Sequence, residues 1–253
     1  MLVTFSAEGP VAIIRLNRPD QRNAVNMALM ADLKLAMARF ESSPDLHVAV
    51  LTGAGRVFCA GMDLGAFAAG ERPGLGDPEG FAGFVQARPG KPVIAAVNGG
   101  AHAGGFELML ACDLAIVEES ALFSLPEVKR GLVAAGGGAY RLPQRIPPAL
   151  AMEMLLTGDP ISAERAAALG LVNAIVPGAE LLPAAMALAH RIAANAPMAL
   201  RETLALARQA ASQGEEVLCA ANAEIWARVD GSADALEGAR AFKEKRAPEW
   251  TGA

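Results

Sequence analysis

In the first half of the chain apolar residues come in short unbroken runs, at residues 11–16, 48–51, 93–97 and 114–117, each followed by a glycine-bearing turn and then a helix or a loop. Short apolar runs bounded by turn signals predict buried strands, and their alternation with helical segments predicts an α/β fold. Between the first two runs, Asn26 stands where it can cap a helix whose apolar residues Leu29, Met30, Leu33, Met37 and Phe40 recur at helical spacing, and Pro44 closes that element. Residues 65–92 break the pattern. The stretch GAFAAGERPGLGDPEG holds glycine and proline too densely for a regular element and predicts a mobile loop. Beyond Pro147 the pattern is helical almost throughout, over 149–156, 163–169, 181–194, 198–211, 215–229 and 232–245. This half reads as a helical layer added to the sheet core, its alanine-rich faces permitting close packing on one another or on a second subunit. A self-contained helical cap is the alternative.

Composition narrows the function classes. With 253 residues, 53% of them apolar, the chain can bury one large core. A formal net charge of -5 offers no global positive field to collect nucleic acid or an anionic membrane. No window approaches the roughly 20 consecutive apolar residues that span a bilayer, and the N-terminal MLVTFSAEGP lacks the basic-then-apolar order of an export signal. Cys59, Cys112 and Cys219 are odd in number and widely spaced, which suggests neither a disulfide framework nor a zinc site and fits a reducing cytoplasm. His47, His102 and His190 are scattered, with no ligand spacing for a metal.

Three segments could carry chemistry. In TGAGRVFCAGMDL, residues 52–64, a strand runs into glycines and an exposed turn at Ala60, Gly61 and Met62 that can aim a backbone N–H outward; the plainer reading is a strand-to-helix connection with Asp63 as its N-cap. In NGGAHAGGFELMLACD, residues 98–113, Gly104 and Gly105 allow a tight turn that opens a helix with unpaired N–H groups and Glu107 in its first turn. Such a helix start can hold a developing oxyanion, although Glu107 could equally do no more than complement the helix dipole. In FSLPEVKRGLVAAGGGAYRL, residues 123–142, Pro126 fixes an extended approach, Glu127 sits at the turn, and a glycine run leads into another helix start. A solvated Glu127 beside Lys129 and Arg130 is the plain alternative. Neither a P-loop nor a dinucleotide fingerprint is present. Taken together, two backbone-donor turns and two carboxylates follow three successive strands, which would end at one edge of a sheet.

At this point the sequence resembles the crotonase, or enoyl-CoA hydratase, family, through NRPDQRNAV (17–25), FCAGMDL (58–64), KPVIAAVNGGAHAGGFELMLACD (91–113), FSLPEVKRGLVAAGGGAYRL (123–142), LTGDPISAERAAALGLVNAIV (156–176) and the C-terminal FKEKRAPEW. The resemblance implies a crotonase-like spiral of repeated strand-turn-helix units over residues 1–195 and a C-terminal helical trimerisation region over 196–253. It implies an oxyanion hole formed by the N–H groups of Met62 and Gly104, with Glu107 and Glu127 as the acid/base pair. It puts CoA near Arg22, Asn23, Ala24, Ala60, Gly61, Asp63 and Leu64, and sends Phe242 and Lys245 toward nucleotide bound by a neighbouring subunit of a homotrimer or dimer of trimers. The CoA thioester is then the substrate, and no separate cofactor or metal is expected. Relatives that isomerise, dehalogenate or decarboxylate often lack one of the two glutamates, so the retained pair favours hydration. The chain departs from the family pattern in its short, glycine-rich segment after Gly65 and in lacking a proline at 133–135. His102, beside the oxyanion turn, could line the pocket, though a packed or solvent-facing side chain is the plainer reading. A double-bond isomerase, a hydrolase and a non-catalytic acyl-CoA binder are the rival readings. A serine-peptidase reading fails because Ser124 is not in a nucleophile elbow.

Overall fold

The computed structural model describes residues 1–252. The described residues form nine strands: β1 (Val3–Glu8), β2 (Val11–Leu16), β3 (Val48–Gly53), β4 (Val93–Val97), β5 (Gly100–His102), β6 (Leu114–Glu118), β7 (Leu122–Ser124), β8 (Ile161–Ser162) and β9 (Ala174–Val176). The main sheet runs in the order β1-β2-β3-β4-β6-β9, antiparallel between β1 and β2 and parallel elsewhere. Each of the four apolar runs read from the sequence is a strand of this sheet. Strands β3 and β4 are buried along nearly their whole length, as a parallel strand covered on both faces must be. Edge strand β1 has no such run, because only Val3 of its six residues is buried.

Helices cover both faces. On one, α1 (Met27–Ser42) buries Leu29, Met30, Leu33, Met37 and Phe40; the Asn26 side chain accepts the Leu29 N–H at 2.9 Å, the cap foreseen from the sequence. On the other, α7 (Leu181–Ala193) lays Leu181, Ala185, Met186 and Ala189 onto Val11, Val48, Val50, Ile94 and Ile116. The remaining helices are α2 (Leu64–Ala68), α3 (Gly104–Ala111), α4 (Gly138–Arg145), α5 (Pro148–Thr157), α6 (Ala163–Ala168), α8 (Pro197–Gln209), α9 (Glu215–Asp230) and α10 (Ala233–Glu244). Neither α8 nor α9 buries a side chain within the chain. Helix α8 is tied back by Arg208, whose guanidinium makes two 2.8 Å hydrogen bonds to Asp113, and Asp113 in turn accepts the Val93 N–H at 2.9 Å. No helix among the described residues is long and apolar enough to cross a membrane.

The second sheet, β5-β7-β8, corrects the expectation that the three chemical segments end on one sheet. The chain leaves β4 through Gly99, at φ +63, where a Cβ would overlap the Arg56 carbonyl, and immediately forms β5. Strand β5 pairs in parallel with β7, so His102 faces Ser124 in register. The second donor turn and Glu127 therefore both grow from this small sheet. Three-residue strands carry no readable period, which is why the sequence did not announce them. Residues 65–92 are largely irregular, as expected, but hold α2 and a 3₁₀ turn at Phe81–Gly83, and they bury Pro73, Ala82, Phe84 and Val85.

Candidate active site

The first donor turn lies against β5. The Phe58 N–H donates to the Asn98 carbonyl (2.7 Å), and the His102 N–H donates to the Cys59 carbonyl (3.0 Å). On either side of Met62, the Val25 N–H donates to the Gly61 carbonyl (2.8 Å) and the Asp63 N–H to the Val25 carbonyl (2.9 Å). These bonds clamp the turn and leave the Met62 N–H without an acceptor among the described residues. Gly61 adopts φ +92, and a Cβ there would come within 2.7 Å of Ala103 Cβ and 2.9 Å of the Gly104 nitrogen, so the two donor turns are in contact.

The second turn is strained where it meets α3. Ala103 has φ 52 and ψ -129, a conformation that side-chain-bearing residues rarely adopt and that tends to mark functional turns. Its carbonyl accepts the Phe106 and Glu107 N–H groups, which starts the helix and leaves the Gly104 N–H unpaired at its first position. Met62 and Gly104 both line one cavity of about 670 Å³. The ring of Phe81, from the irregular segment, packs so closely on Gly104 that a Cβ there would overlap it.

Glu107 and Glu127 line the same cavity and both are buried. The Gly138 N–H donates to Glu107 Oε1 at 2.9 Å, and a Cβ on Gly136 would overlap Glu107 Oε2, so the glycine run both makes room for this carboxyl and holds it. Arg141 braces the run by donating to the Gly136 carbonyl (2.9 Å) and to that of Val85. Burial, reinforced by the nearby Glu127 charge, outweighs these N–H groups and Arg141 and pushes the Glu107 carboxyl up to about 7. Burial also raises Glu127, against its own backbone N–H and Arg130, and its Oε2 is buried with no hydrogen-bond partner. The Glu127 charge acts on Glu107, so the two carboxyls titrate as a coupled pair. Burial removes the plain reading of Glu127 as a solvated surface charge, while Glu107 does sit in the first turn of α3, where it also complements the helix dipole.

The other expected site residues divide. Arg22, Ala60 and Leu64 line the cavity. Asn23 is fully buried and turned inward, accepting the Arg18 N–H (2.8 Å) and donating to the Ala54 and Val57 carbonyls (2.9 and 2.7 Å), so its side chain shapes the loop rather than facing the cavity. Asp63 caps α2 by accepting the Gly65 and Ala66 N–H groups and pairs with Arg18 at 2.6 Å; the Ala66 N–H and the guanidinium hold its carboxyl below the usual range. Ala24 and Gly61 shape the turns around the cavity without lining it. Phe242 is 87% exposed and Lys245 caps α10 in the left-handed region; both lie outside the cavity of their own chain.

Some of the lining was not foreseen. His102 lines the cavity, the less favoured of its two sequence readings, and is at the same time packed, with Nδ1 2.9 Å from Ser124 Oγ. Burial, and secondarily Arg22, lowers its pKa and keeps the imidazole neutral near pH 7. Phe81, Arg72 and Leu75 reach the cavity from the irregular segment, where no periodicity pointed to them. No cluster of side chains among the described residues could hold a metal ion.

Residues 6–253 match the model of the enoyl-CoA hydratase/isomerase family. The chain is 42% identical over 258 residues to a carnitinyl-CoA dehydratase of Proteus mirabilis, covering 98% of this chain and 97% of the relative. Its structure superposes on an enoyl-CoA hydratase from Mycobacterium tuberculosis with a TM-score of 0.96 at 47% identity, over 100% of this chain and 99% of that one. A carnitinyl-CoA hydratase from Mycobacterium avium gives a TM-score of 0.80 at 42% identity, with the same coverage.

Proposed function

The chain belongs to the enoyl-CoA hydratase/isomerase family, and from that premise we propose that it is a lyase that moves water across the 2,3 double bond of an acyl-CoA thioester. The observation that carries the reading is the pair of buried carboxyls in one cavity. Glu107 is fixed by the Gly138 N–H, Glu127 has an unpartnered oxygen, and Met62 and Gly104, whose N–H groups find no acceptor among the described residues, line the same space.

In the hydration direction the thioester oxygen lies on the Met62 and Gly104 N–H groups. As water adds to C3, negative charge moves onto that oxygen, and fixed donors facing it stabilise the transition state; losing one such donor costs roughly 2.7–4 kcal/mol. Glu107, ionised, takes a proton from water as the C3–O bond forms. Glu127, protonated, delivers a proton to C2. The reverse sequence removes water from a 3-hydroxyacyl thioester, so hydration and dehydration are one reaction read in two directions. The CoA thioester is itself the substrate, and no separate cofactor enters. Arg22 and Ala60, both in the cavity lining, are the residues that would meet the CoA arm. The exposed faces of α8 and α9, together with Phe242, support assembly of subunits through the helical layer.

The test is loss of the enoyl-thioester absorbance on incubation with crotonyl-CoA. Glu107→Gln and Glu127→Gln should each lower kcat by about 10² to 10⁴. A near-normal rate for Glu127→Gln would remove the mechanism, and isomerised product without hydration would favour the isomerase reading.

A further inference from the structure

The two acid/base groups are anchored unequally. Glu107 is held from across the cavity by the Gly138 N–H, whereas the buried Oε2 of Glu127 has no partner. The aim of Glu127 is therefore inherited from the strand that delivers it. That strand, β7, ends at Ser124, three residues before Glu127, and its parallel neighbour β5 ends at His102, two residues before Gly104. Strands this short hold one another weakly through their backbones alone. Few backbone bonds join them; among these, the Leu122 N–H donates to the Gly99 carbonyl (3.0 Å) and the Ala103 N–H to the Ser124 carbonyl (2.9 Å).

A side-chain bond reinforces this junction at its catalytic end. His102 and Ser124 are register partners, both line the cavity, and His102 Nδ1 lies 2.9 Å from Ser124 Oγ. We propose that His102 is a positioning residue: through Ser124 it locks the strand that aims Glu127 against the strand that presents the Gly104 N–H. This inference rests on the hydration reading above.

Two other roles fit the geometry less well. As a proton donor to substrate, His102 is less well placed, since Nδ1 is engaged by Ser124 Oγ and Nε2 lies 2.9 Å from where a Cβ on Gly100 would lie. As the base for a Ser124 nucleophile, it lacks the third group that orients such a histidine, because no carboxylate hydrogen-bonds it among the described residues. A clasp explains the pair without either requirement. Ser124 is buried, so removing the imidazole also leaves its hydroxyl without a partner and free to rotate.

The test uses the full chain and crotonyl-CoA, comparing His102→Leu, Ser124→Ala, the double variant and His102→Asn, whose amide can occupy the place of Nδ1. Small misplacement of a catalytic group costs up to about 10² in rate, so His102→Leu and Ser124→Ala should each lower kcat by about ten- to a hundredfold while KM stays within about twofold. His102→Asn should recover most of the loss, and the double variant should be no worse than the worse single one. Melting temperatures, measured on all four, separate a positioning defect from unfolding, and Ser124→Ala carries the test if His102→Leu does not fold. Unchanged kcat in His102→Leu, equal impairment of His102→Asn and His102→Leu, multiplying losses in the double variant, or a rise in KM at constant kcat would each overturn the clasp. A wild-type chain that hydrates no enoyl-CoA at all would instead overturn the function on which it rests.

Discussion

Gly136 touches the Glu107 carboxyl so closely that a single added carbon would overlap Oε2. The neighbouring Gly138 N–H donates to the other oxygen of the same group. A glycine run in the third segment is thus part of the binding site of a glutamate in the second. Gly136→Ala should push the carboxyl off its donor and lower kcat for hydration by about 10², with a far smaller effect on melting temperature. A variant with normal kcat would show that Glu107 does not need this seat.

The raised Glu107 carboxyl links stability to pH. In the folded chain it titrates near 7, against 4.5 as its ordinary value. Below the lower value both states are protonated and nothing is lost. Between the two, the unfolded chain releases a proton that the folded chain keeps, so stability falls as pH rises through this window and stays reduced above it. Glu107→Gln should therefore be more stable than the wild type at pH 8, by roughly 3 kcal/mol, and the advantage should vanish near pH 4. For the wild type, kcat/KM should decline as pH drops below about 7, where the base becomes protonated. A melting advantage that is equal at both pH values would contradict the burial origin of the shift.

The cavity lining bears on the acyl chain. Leu64, Leu75 and Val133 are large apolar side chains left exposed, and all three line this space. Arg22, Arg72, Lys129 and Arg130 line it as well; among the described residues its only aromatic rings are Phe81 and the His102 imidazole, and its only carboxylates are Glu107 and Glu127. A quaternary ammonium group is recognised by several aromatic faces or by a counter-charge, and neither is supplied beyond the acid/base pair. An uncharged enoyl-CoA should therefore be preferred over one with a trimethylammonium group at C4 by about tenfold or more in kcat/KM. Parallel assays of the two thioesters decide this, and equal or reversed efficiency would contradict it.

Arg208 and Asp113 fasten the helical layer to the sheet. Both side chains are largely shielded, and Asp113 also holds the Val93 N–H at the start of β4. Removing one partner leaves a partly buried charge unpaired, so Arg208→Met should destabilise the chain by about 1–3 kcal/mol, while hydration by the folded variant proceeds at the wild-type rate. Denaturant midpoints test the first part and steady-state assays the second.

Local pattern alone determined much of this molecule. The four strands at the centre of the main sheet, the Asn26 cap of α1 and every helix from α5 to α10 follow from apolar periodicity and capping residues, which act over a few neighbouring positions. The same pattern, with the family resemblance, singled out Glu107, Glu127, Met62 and Gly104. Tertiary structure decided what those residues experience. Glu107 meets its donor 31 positions away, and Ser124 meets His102 22 positions away, across strands too short to show a period. Asn23 and Asp63, which read as cavity residues, are instead engaged by backbone groups and Arg18. A spacing along the chain can propose a carboxylate, but its proton affinity and its aim are sums over neighbours that only folding brings together.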